Sequence, residues 1–313
     1  MFSGAAVGSA VGSVTGFRYR GGMSTPNTAT ATNPSTCTTS CCTETATAKP
    51  VAQIGAFCWI ELHTRDRATA RAFFTKVIGW TIAPCDKTAP EATIYEEWVA
   101  QDGAHVGGMM TMPAAVPAYV PSHFATYVNV ADVDATAARV AGLGGTVLMP
   151  PMDIPEVGRF AVIADPTGAT LNIFKGVGTH GSKDSQARSA PGHFCWNELS
   201  TNDPAKSRAF YTALLGYGAM SMPMPTGEYT MFSLPGTTDQ FVGGMMQKPT
   251  EAGSCPSCWL AYVHVANVDT VAKSAVREGG KVLFGPSDVP GFGRSAVIAD
   301  PTGAPLGLFT PAA

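Results

Sequence analysis

Charged residues are scarce in this chain, and long apolar runs are missing. Only 14% of the 313 residues are charged, and the formal net charge is −3. Lys and Arg are dispersed, so the sequence offers no basic surface of the kind that binds nucleic acid. No apolar run approaches the roughly 20 residues that a membrane-spanning helix needs. These absences favour a globular protein with neither nucleic-acid nor membrane partners.

The cysteines do not form a pattern typical of a disulfide framework. There are eight, and Cys58 and Cys195 occupy matching positions in two apolar strands. Matching buried thiols favour a reducing compartment, which predicts a cytoplasmic protein. Cys255 and Cys258 form a lone C-x-x-C without a second pair at zinc spacing, so they do not indicate a metal site.

The first 50 residues differ in composition from the rest. They are rich in Ala, Gly, Ser and Thr, and the first acidic residue is Glu44. Such a segment buries too little apolar surface to offset the entropy of ordering, so residues 1–50 are predicted to be a disordered leader. The alternative is a transit peptide for mitochondria or another organelle, because such peptides are acid-poor and carry arginine, here Arg18 and Arg20.

An internal repeat sets the domain organisation. The sequence G-R-F-A-V-I-A-D-P-T-G-A at 158–169 returns with one change at 293–304, and F-C-W-I-E-L at 57–62 returns as F-C-W-N-E-L at 194–199. A repeat this long indicates duplicated domains. The sequence therefore predicts one domain at 53–175, a polar linker at 176–191 and a second domain at 192–310.

Each predicted domain is itself double. A strand at 55–63 leads to Asp66, a typical helix N-cap, and apolar residues then recur at helical spacing before three short strands. The same order returns from His123, with Asp132 as the cap, and twice more in the second domain. The chain thus predicts four strand-helix-strand-strand-strand modules, two in each domain.

Three motifs resemble one known family. They are the helix ends A-F-F-T-K-V-I-G and A-F-Y-T-A-L-L-G, the strand ends V-A-D-V-D and V-A-N-V-D, and the repeated A-D-P-T-G turn. They resemble the vicinal-oxygen-chelate superfamily of glyoxalase I, bleomycin-resistance proteins and extradiol dioxygenases, above all its tandem-domain, glyoxalase-like and hydroxylase-like members. The resemblance implies an α+β fold with two tandem domains, each of two βαβββ modules forming a curved mixed sheet around a cup.

The resemblance also implies where a divalent metal would be held. In glyoxalase-like sequences a ligand lies seven residues before the helix-capping residue, and the last ligand lies seven residues after the Asp of A-D-P-T-G. In this chain those positions hold Trp59, Ala125 and Asn172 in the first domain and Trp196, Leu260 and Gly307 in the second. Divalent cations prefer His or carboxylate ligands, so no metal or other cofactor is predicted at the family position, although the family makes a divalent metal the alternative.

Strand alternation predicts what lines the cups. If Trp59 faces the cup, residues of the same parity on its strand do so as well, and the second-module strands follow the same rule. The predicted cup residues are Phe57, Trp59, Glu61, His63, Tyr127, Asn129 and Asn172 in the first domain and Phe194, Trp196, Glu198, Ser200, Tyr262 and His264 in the second. Cys58, Ile60 and Leu62 are predicted to face the helix. Aromatic walls with a few polar groups suit a flat organic ligand.

Chemical roles follow from residue type. Glu61 and Glu198 are candidate general bases or hydrogen-bond anchors, and His264, predicted opposite Glu198, is the candidate acid/base histidine. Arg159 and Arg294 begin matching strands, where each is expected to clamp a ligand carboxylate or, alternatively, to pair with a local aspartate.

Two classes of function remain open from the sequence. The chain is predicted to bind a small organic molecule in its cups, either as a non-catalytic binding protein or as a metal-independent lyase- or hydroxylase-like enzyme. The alternative is a metal-dependent enzyme of the glyoxalase I or extradiol dioxygenase type. The chain is expected to be a monomer or a homodimer.

Overall fold

The protein is described by a computed structural model covering residues 53–83, 94–114, 116–178, 190–224 and 227–312. The predicted leader, and with it the transit-peptide alternative, falls outside the described residues, as does most of the predicted linker. Among the helices of the described ranges, none combines the length and the apolar character needed to cross a membrane.

The first domain contains eight strands and two helices. In chain order these are β1 (Phe57–Thr64), α1 (Arg67–Val77), β2 (Thr81–Ile82), β3 (Tyr95–Val99), β4 (His105–Thr111), β5 (His123–Asn129), α2 (Val133–Val140), β6 (Thr146–Ile154), β7 (Gly158–Ala164) and β8 (Thr170–Gly176). The strands form one mixed sheet in the order β2-β3-β4-β1-β5-β8-β7-β6. The two modules meet at the antiparallel pair β1–β5 in its centre.

The second domain repeats this arrangement. Its elements are β9 (Phe194–Thr201), α3 (Pro204–Leu215), β10 (Gly218–Met224), β11 (Gly227–Ser233), β12 (Phe241–Gln247), β13 (Cys258–His264), α4 (Val268–Arg277), β14 (Lys281–Val289), β15 (Gly293–Ala299) and β16 (Pro305–Pro311). Their sheet order is β10-β11-β12-β9-β13-β16-β15-β14. The predicted α+β fold of two tandem sheets, each curled into a half-barrel built from two βαβββ modules, is confirmed.

Side-chain caps start the four helices where the sequence predicts. Asp66, Asp132 and Asp203 each accept a hydrogen bond from the backbone N–H three residues on, and Asn267 does the same from Thr270 at 2.9 Å. These bonds satisfy donors that have no partner within the helix, so each cap fixes the residue at which the chain turns from strand to helix.

The helix-bearing faces of the two sheets pack against each other. One apolar core joins residues of the first module, such as Phe73 of α1, to residues of the fourth, such as Ala272 of α4. A second core joins the second module to the third. A Cβ on Gly280 would lie 2.7 Å from the ring of Phe73, and a Cβ on Gly145 would lie 2.6 Å from the ring of Phe210. The glycines therefore let each domain's aromatic ring enter the other domain.

Two reciprocal hydrogen bonds fasten this interface. The indole N–H of Trp80 donates to the carbonyl of Gly192 at 2.7 Å, and the hydroxyl of Tyr217 donates to the carbonyl of Gly55 at 2.6 Å. Trp80 and Tyr217 follow the first helix of their own domain, and each carbonyl belongs to the chain entering the other domain's first strand. The bonds therefore tie the start of each central strand to the opposite domain.

A bulge in each central strand changes which side chains face the cup. The pairing of β1 with β5 shifts register between Phe57 and Trp59, so Cys58 is an extra residue there. Phe57 consequently lies in the interdomain core with its ring 5.2 Å from that of Trp259, while Cys58 packs beside Tyr127. The predictions that Phe57 faces the cup and that Cys58 faces the helix are wrong.

The second domain has the equivalent bulge. Between Phe194 and Trp196 the pairing of β9 with β13 shifts, and Phe194 lies in the interdomain core, with its ring 5.4 Å from that of Trp80. The prediction that Phe194 faces the cup is wrong for the same reason. Beyond the bulge, Ile60 and Leu62 lie in the core as predicted.

The buried side chain of Asn197 makes no hydrogen bond. It occupies the β9 position that corresponds to Ile60 of β1, it is 0% exposed, and neither its side-chain oxygen nor its nitrogen is hydrogen-bonded. A buried amide of this kind carries its full desolvation cost.

We expect Asn197→Val to raise the free energy of unfolding by about 1–3 kcal/mol, because it removes the unsatisfied amide and leaves a β-branched residue suited to a strand. Denaturant unfolding should show a higher midpoint with an unchanged m-value. The reverse change in the first domain, Ile60→Asn, serves as the control and should lower the midpoint. A lower midpoint for Asn197→Val would contradict this expectation.

Candidate functional site

The first cup is built around the carboxylate of Glu61. Glu61 lies on β1 between Gly108 of β4 and Ala125 of β5, and it is 5% exposed. His63, two residues along the same face, places its Nε2 atom 2.5 Å from Oε1 of Glu61. The hydroxyl of Tyr127 donates to the same oxygen at 3.3 Å. The structure therefore brings three of the predicted cup residues into one hydrogen-bonded cluster.

Tyr95 completes this cluster, and the sequence analysis missed it. The indole N–H of Trp59 donates to the Tyr95 hydroxyl at 2.7 Å, and this hydroxyl lies beside the Glu61 carboxylate. A Cβ on Gly108 would lie 1.9 Å from this hydroxyl, so only glycine leaves room for the ring. The repeated V-G-G-M-M sequence at 106–110 and 242–246 is the signal that could have indicated a ring packed over the strand.

The tyrosines of the first cup are held as neutral donors. Burial, followed by the negative charge of Glu61, raises the pKa of Tyr95 and of Tyr127 well above the ordinary value. His123 stands edge-on to His63 with ring centroids 5.3 Å apart, and burial lowers its pKa. A lowered pKa favours the neutral form of His123 beside the Glu61–His63 pair.

The second cup repeats this arrangement around Glu198. One Trp and two Tyr residues surround the glutamate in each cup, and we call them its frame. The indole of Trp196 donates to the Tyr229 hydroxyl at 2.9 Å, and Tyr229 donates to Oε2 of Glu198 at 3.0 Å. Tyr262 donates to Oε1 at 3.0 Å. The predicted cup residues Trp196, Glu198 and Tyr262 are thus brought together, with Tyr229 added in the place of Tyr95.

The two frames differ in their histidines. Register places Ser200 of β9 where the first cup has His63, and Cys258 of β13 where it has His123. Burial raises the pKa of Glu198, while the bonds from Tyr262 and Tyr229 offset part of that rise. The second cup therefore has the carboxylate without the paired imidazole.

His264 does not lie opposite Glu198. The residue paired with Glu198 is Leu260, and His264 lies four residues further along β13, about 13 Å away along the strand. Its backbone N–H donates to the carbonyl of His193 at the far end of the strand pair. The predicted Glu198–His264 acid/base pair is wrong, because the register of β9 against β13 differs from the one assumed.

The two asparagines of the first cup are placed differently. Asn172 of β8 lies beside Tyr127 and is buried, at the position held by Gly307 in the second domain. Asn129 lies at the end of β5, where its side-chain amide donates to the carbonyl of Gln53 at 3.4 Å. Asn172 joins the wall of the cup, whereas Asn129 is two residues beyond Tyr127, away from Glu61.

Neither predicted arginine clamp faces a cup. Arg159 has the parity of the core residues Ala161 and Ile163, and it pairs with Asp134 of α2 through two hydrogen bonds of 2.7 and 2.8 Å and with Asp153 at 2.9 Å. The ligand-clamp prediction for Arg159 is therefore wrong, and the alternative of a local aspartate pair is correct.

Arg294 repeats the arrangement in the second domain. It contacts Asp269 of α4 at 2.6 and 2.9 Å and Asp288 at 2.7 Å. Both arginines fasten the first turn of a helix to the edge of a sheet. The prediction that Arg294 clamps a ligand is therefore wrong, because its guanidinium pairs with aspartates, as that of Arg159 does.

The side chains at the family's metal positions do not fit a divalent cation. Trp59 and Ala125 supply no ligand atom, and Asn172 supplies at most a single amide oxygen. In the second domain the corresponding residues are Trp196, Leu260 and Gly307. Within the described ranges, no group of three or more His, Cys, Asp or Glu residues is arranged to hold a metal ion.

Comparison with known proteins identifies the family. The model of the Glyoxalase/Bleomycin resistance protein/Dioxygenase superfamily matches residues 56–173 and again residues 191–308. The chain belongs to this superfamily. The two matches cover both halves of the duplicated sequence, as the resemblance implied.

Two relatives align over most of the chain. "Putative glyoxylase CFP32" of Mycobacterium tuberculosis is 34% identical over 254 residues, covering 81% of this chain and 94% of the relative. The anthracycline biosynthesis protein DnrV of Streptomyces peucetius is 31% identical over 268 residues, covering 80% and 91%.

Solved structures share the fold at low identity. The Mn(II)-bound glyoxalase from Novosphingobium aromaticivorans superposes with a TM-score of 0.55 at 16% identity, covering 83% of each chain. The 2,3-dioxygenase LapB from Pseudomonas sp. KL28 gives 0.54 at 12% identity, covering 84% of this chain and 94% of that one. These similarities show that the chain has the same fold as those two proteins. At such low identity they carry no information about the chemistry of this chain.

We expect Tyr262→Phe to raise the pKa of Glu198 further, because it removes a hydrogen bond that favours the charged carboxylate. Tyr229→Phe should act in the same direction, and the double variant should exceed either single one. The measurement is a carboxyl ¹³C NMR titration, with Glu198→Gln used to assign the resonance. A pKa that falls in the Tyr262→Phe variant would contradict the arrangement.

Proposed function

We propose that the protein binds a small organic molecule in its cups and that the first cup carries out metal-independent proton transfer, with Glu61 as the general base. The observation that carries the proposal is the Glu61–His63 contact of 2.5 Å on a carboxylate that is 5% exposed. A buried carboxylate hydrogen-bonded to an imidazole can take a proton and pass it on within one site.

The surroundings of Glu61 suit the isomerisation of a carbonyl compound. Glu61 would remove the proton from the hydroxyl-bearing carbon beside the carbonyl. The electron pair of that C–H bond would form a carbon–carbon double bond, and the carbonyl π pair would move onto the carbonyl oxygen. Return of the proton to the former carbonyl carbon, with His63 holding it in transit, and transfer of the hydroxyl proton to the former carbonyl oxygen would complete the isomerisation. One carbon is oxidised and its neighbour is reduced, so no outside oxidant or reductant is needed. The neutral hydroxyls of Tyr95 and Tyr127 would hold the Glu61 carboxylate in one orientation toward the substrate.

The names of the relatives favour the same chemical class. The mycobacterial relative is described as a glyoxylase, and one structural neighbour is a glyoxalase. The hemithioacetal of methylglyoxal and glutathione is therefore the first substrate to test. The Streptomyces relative is described as an anthracycline biosynthesis protein, so polycyclic aromatic compounds belong in the same panel.

A non-catalytic binding protein is the second candidate, and the second cup favours it. Glu198 has the same tyrosine frame as Glu61, but Ser200 replaces the histidine that would relay a proton. Such a cup can hold a ligand by hydrogen bonds and aromatic contacts without turning it over. The monomer or homodimer expected from the sequence stays a prediction.

We expect Glu61→Gln to lower turnover by about 10²–10⁴-fold while ligand binding is largely retained, because the amide keeps the shape of the carboxylate and loses its basicity. His63→Gln should lower turnover as well and should alter the pH profile of the rate. Steady-state kinetics with the hemithioacetal measures the rate, and ligand-induced thermal shifts measure binding.

Glu198→Gln is the matched control, since it makes the same change in the other cup. It should leave turnover close to that of the unchanged protein. If Glu198→Gln abolished turnover and Glu61→Gln did not, catalysis would belong to the second cup. Thermal shifts without any turnover in the panel would favour the non-catalytic binding protein.

We expect turnover to survive EDTA and to gain nothing from added Ni²⁺ or Zn²⁺, because the side chains at the family's metal positions are poor ligands. The same hemithioacetal assay, run with and without the chelator, makes the measurement. Loss of turnover in EDTA that is restored by Ni²⁺ or Zn²⁺ would instead support the metal-dependent glyoxalase I type of enzyme.

A further inference from the structure

Methionines line one wall of the second cup. Met222 of β10 pairs directly with Tyr229, whose hydroxyl contacts Glu198, and Met246 of β12 pairs with Tyr229 from the other side. Directly paired residues of adjacent strands point to the same face, and so do residues two apart on one strand. The cup-facing methionines are therefore Met220, Met222, Met224, Met231 and Met246. Together they span three adjacent strands.

These side chains are not part of the apolar core. Met220 is 46% exposed, and the other four are half-buried. Met245, the neighbour of Met246, is 1% exposed and belongs to the interdomain core. The contrast within one strand separates a packing methionine from a methionine presented to the cup.

The first domain does not repeat this wall. The first domain has Ala83 at the position of Met220 and Glu97 at the position of Met231. At the described positions, Met246 is the one wall methionine whose counterpart, Met110, is also a methionine. Glu97 is paired with His105. The counterparts of Met222 and Met224 lie outside the described residues. At the described positions, the two cups thus differ in polarity although their tyrosine–glutamate frames are the same.

A thioether wall favours a particular kind of ligand. Methionine side chains are flexible and polarisable, and sulfur makes favourable contacts with aromatic rings. Across the cup, Val297 and Phe309 lie on the same face as Tyr262, next to Gly307 and His264 respectively. Such surroundings suit a flat ring system without formal charge.

Glu198 adds one directional contact. Its two oxygens each accept one tyrosine hydroxyl, at 3.0 Å in both cases. A carboxylate oxygen has two lone pairs, so each oxygen can accept one further hydrogen bond. The donor would have to come from the ligand, and a hydroxyl on the ring edge meets this requirement.

We propose that the second cup binds an uncharged, fused-ring aromatic molecule bearing a phenolic hydroxyl, with its ring on the methionine wall and its hydroxyl on Glu198. This inference rests on the proposed function in that it takes the second cup as a ligand site. It adds the ligand class and separates the tasks of the two cups, because the second cup binds without transferring a proton.

The test is NMR of the full chain labelled with ¹³C at the methionine methyl groups, titrated with 2-naphthol. The protein has 13 methionines, and the five cup-facing ones should shift while Met109 and Met245 of the core do not. Decahydro-2-naphthol keeps the hydroxyl and lacks the aromatic rings, so it should bind more weakly. Naphthalene keeps the rings and lacks the hydroxyl, so it should bind more weakly as well.

Variants assign the contacts. The double change Met222→Leu with Met231→Leu removes two sulfurs at nearly constant volume and should weaken 2-naphthol binding roughly tenfold. Met231→Glu installs the first domain's residue and should weaken binding at least as much. Met245→Leu, on the opposite face, should leave it unchanged. Glu198→Gln should reduce the preference for 2-naphthol over naphthalene, because a neutral amide oxygen accepts a weaker hydrogen bond than a carboxylate does.

The outcomes separate this inference from the proposed function. Shifts confined to Met110, the first-cup methionine, would overturn the inference and leave the proposed function standing. Binding of 2-naphthol that is unaffected by the double leucine variant would also overturn it. The Glu61-dependent turnover assay decides the proposed function independently, because it does not involve the second cup.

Discussion

The structure depends on burying one face of each sheet against the other domain. Helices α1 and α4 share one core and α2 and α3 the other, so neither half of the duplication encloses its own apolar face. Burial of this kind contributes most of the stability of a domain. The glycines at 145 and 280 admit the phenylalanine rings that interlock the halves. Because this contact buries the helix-bearing faces, both cups form on the opposite, concave faces of the sheets.

The bulges in β1 and β9 connect that interface to the sites. Phe57 and Trp59 are two residues apart, and a regular strand would turn both to the same face. The extra residue at Cys58 sends Phe57 into the interdomain core and leaves Trp59 in the cup, where its indole orients Tyr95. A change that removed the bulge would therefore disturb packing and site together. The same coupling holds in the second domain through Phe194 and Trp196.

The sequence was sufficient for the fold because the repeat, the helix caps and the apolar periodicity all agreed. It also predicted that Trp59 and Glu61 lie on the same face of their strand, since alternation holds along the regular part of a strand. It failed where the answer depends on contacts between distant segments. The bulge at Cys58 has no local signature, the register that separates His264 from Glu198 is set between strands, and Tyr95 reaches Glu61 only because Gly108 has no side chain. The sequence could not decide which group pairs with Arg159 for the same reason, because Asp134 belongs to another element.

Each domain of the duplication has a glutamate within the same set of Trp and Tyr residues, but the other neighbours of the two glutamates differ. Glu61 has an imidazole within hydrogen-bond distance in addition to its tyrosines, whereas Glu198 is hydrogen-bonded to tyrosine hydroxyls, and burial raises its pKa. A carboxylate with only neutral partners is a poor relay, since a proton it accepts has no second base to move to. It remains a good acceptor of a ligand's hydrogen bond, and the thioethers beside it make the site more apolar. In the proposed function, the Trp and Tyr residues around each glutamate set where the polar edge of a ligand lies, and the residue two positions beyond the glutamate, His63 or Ser200, sets whether a proton can be relayed.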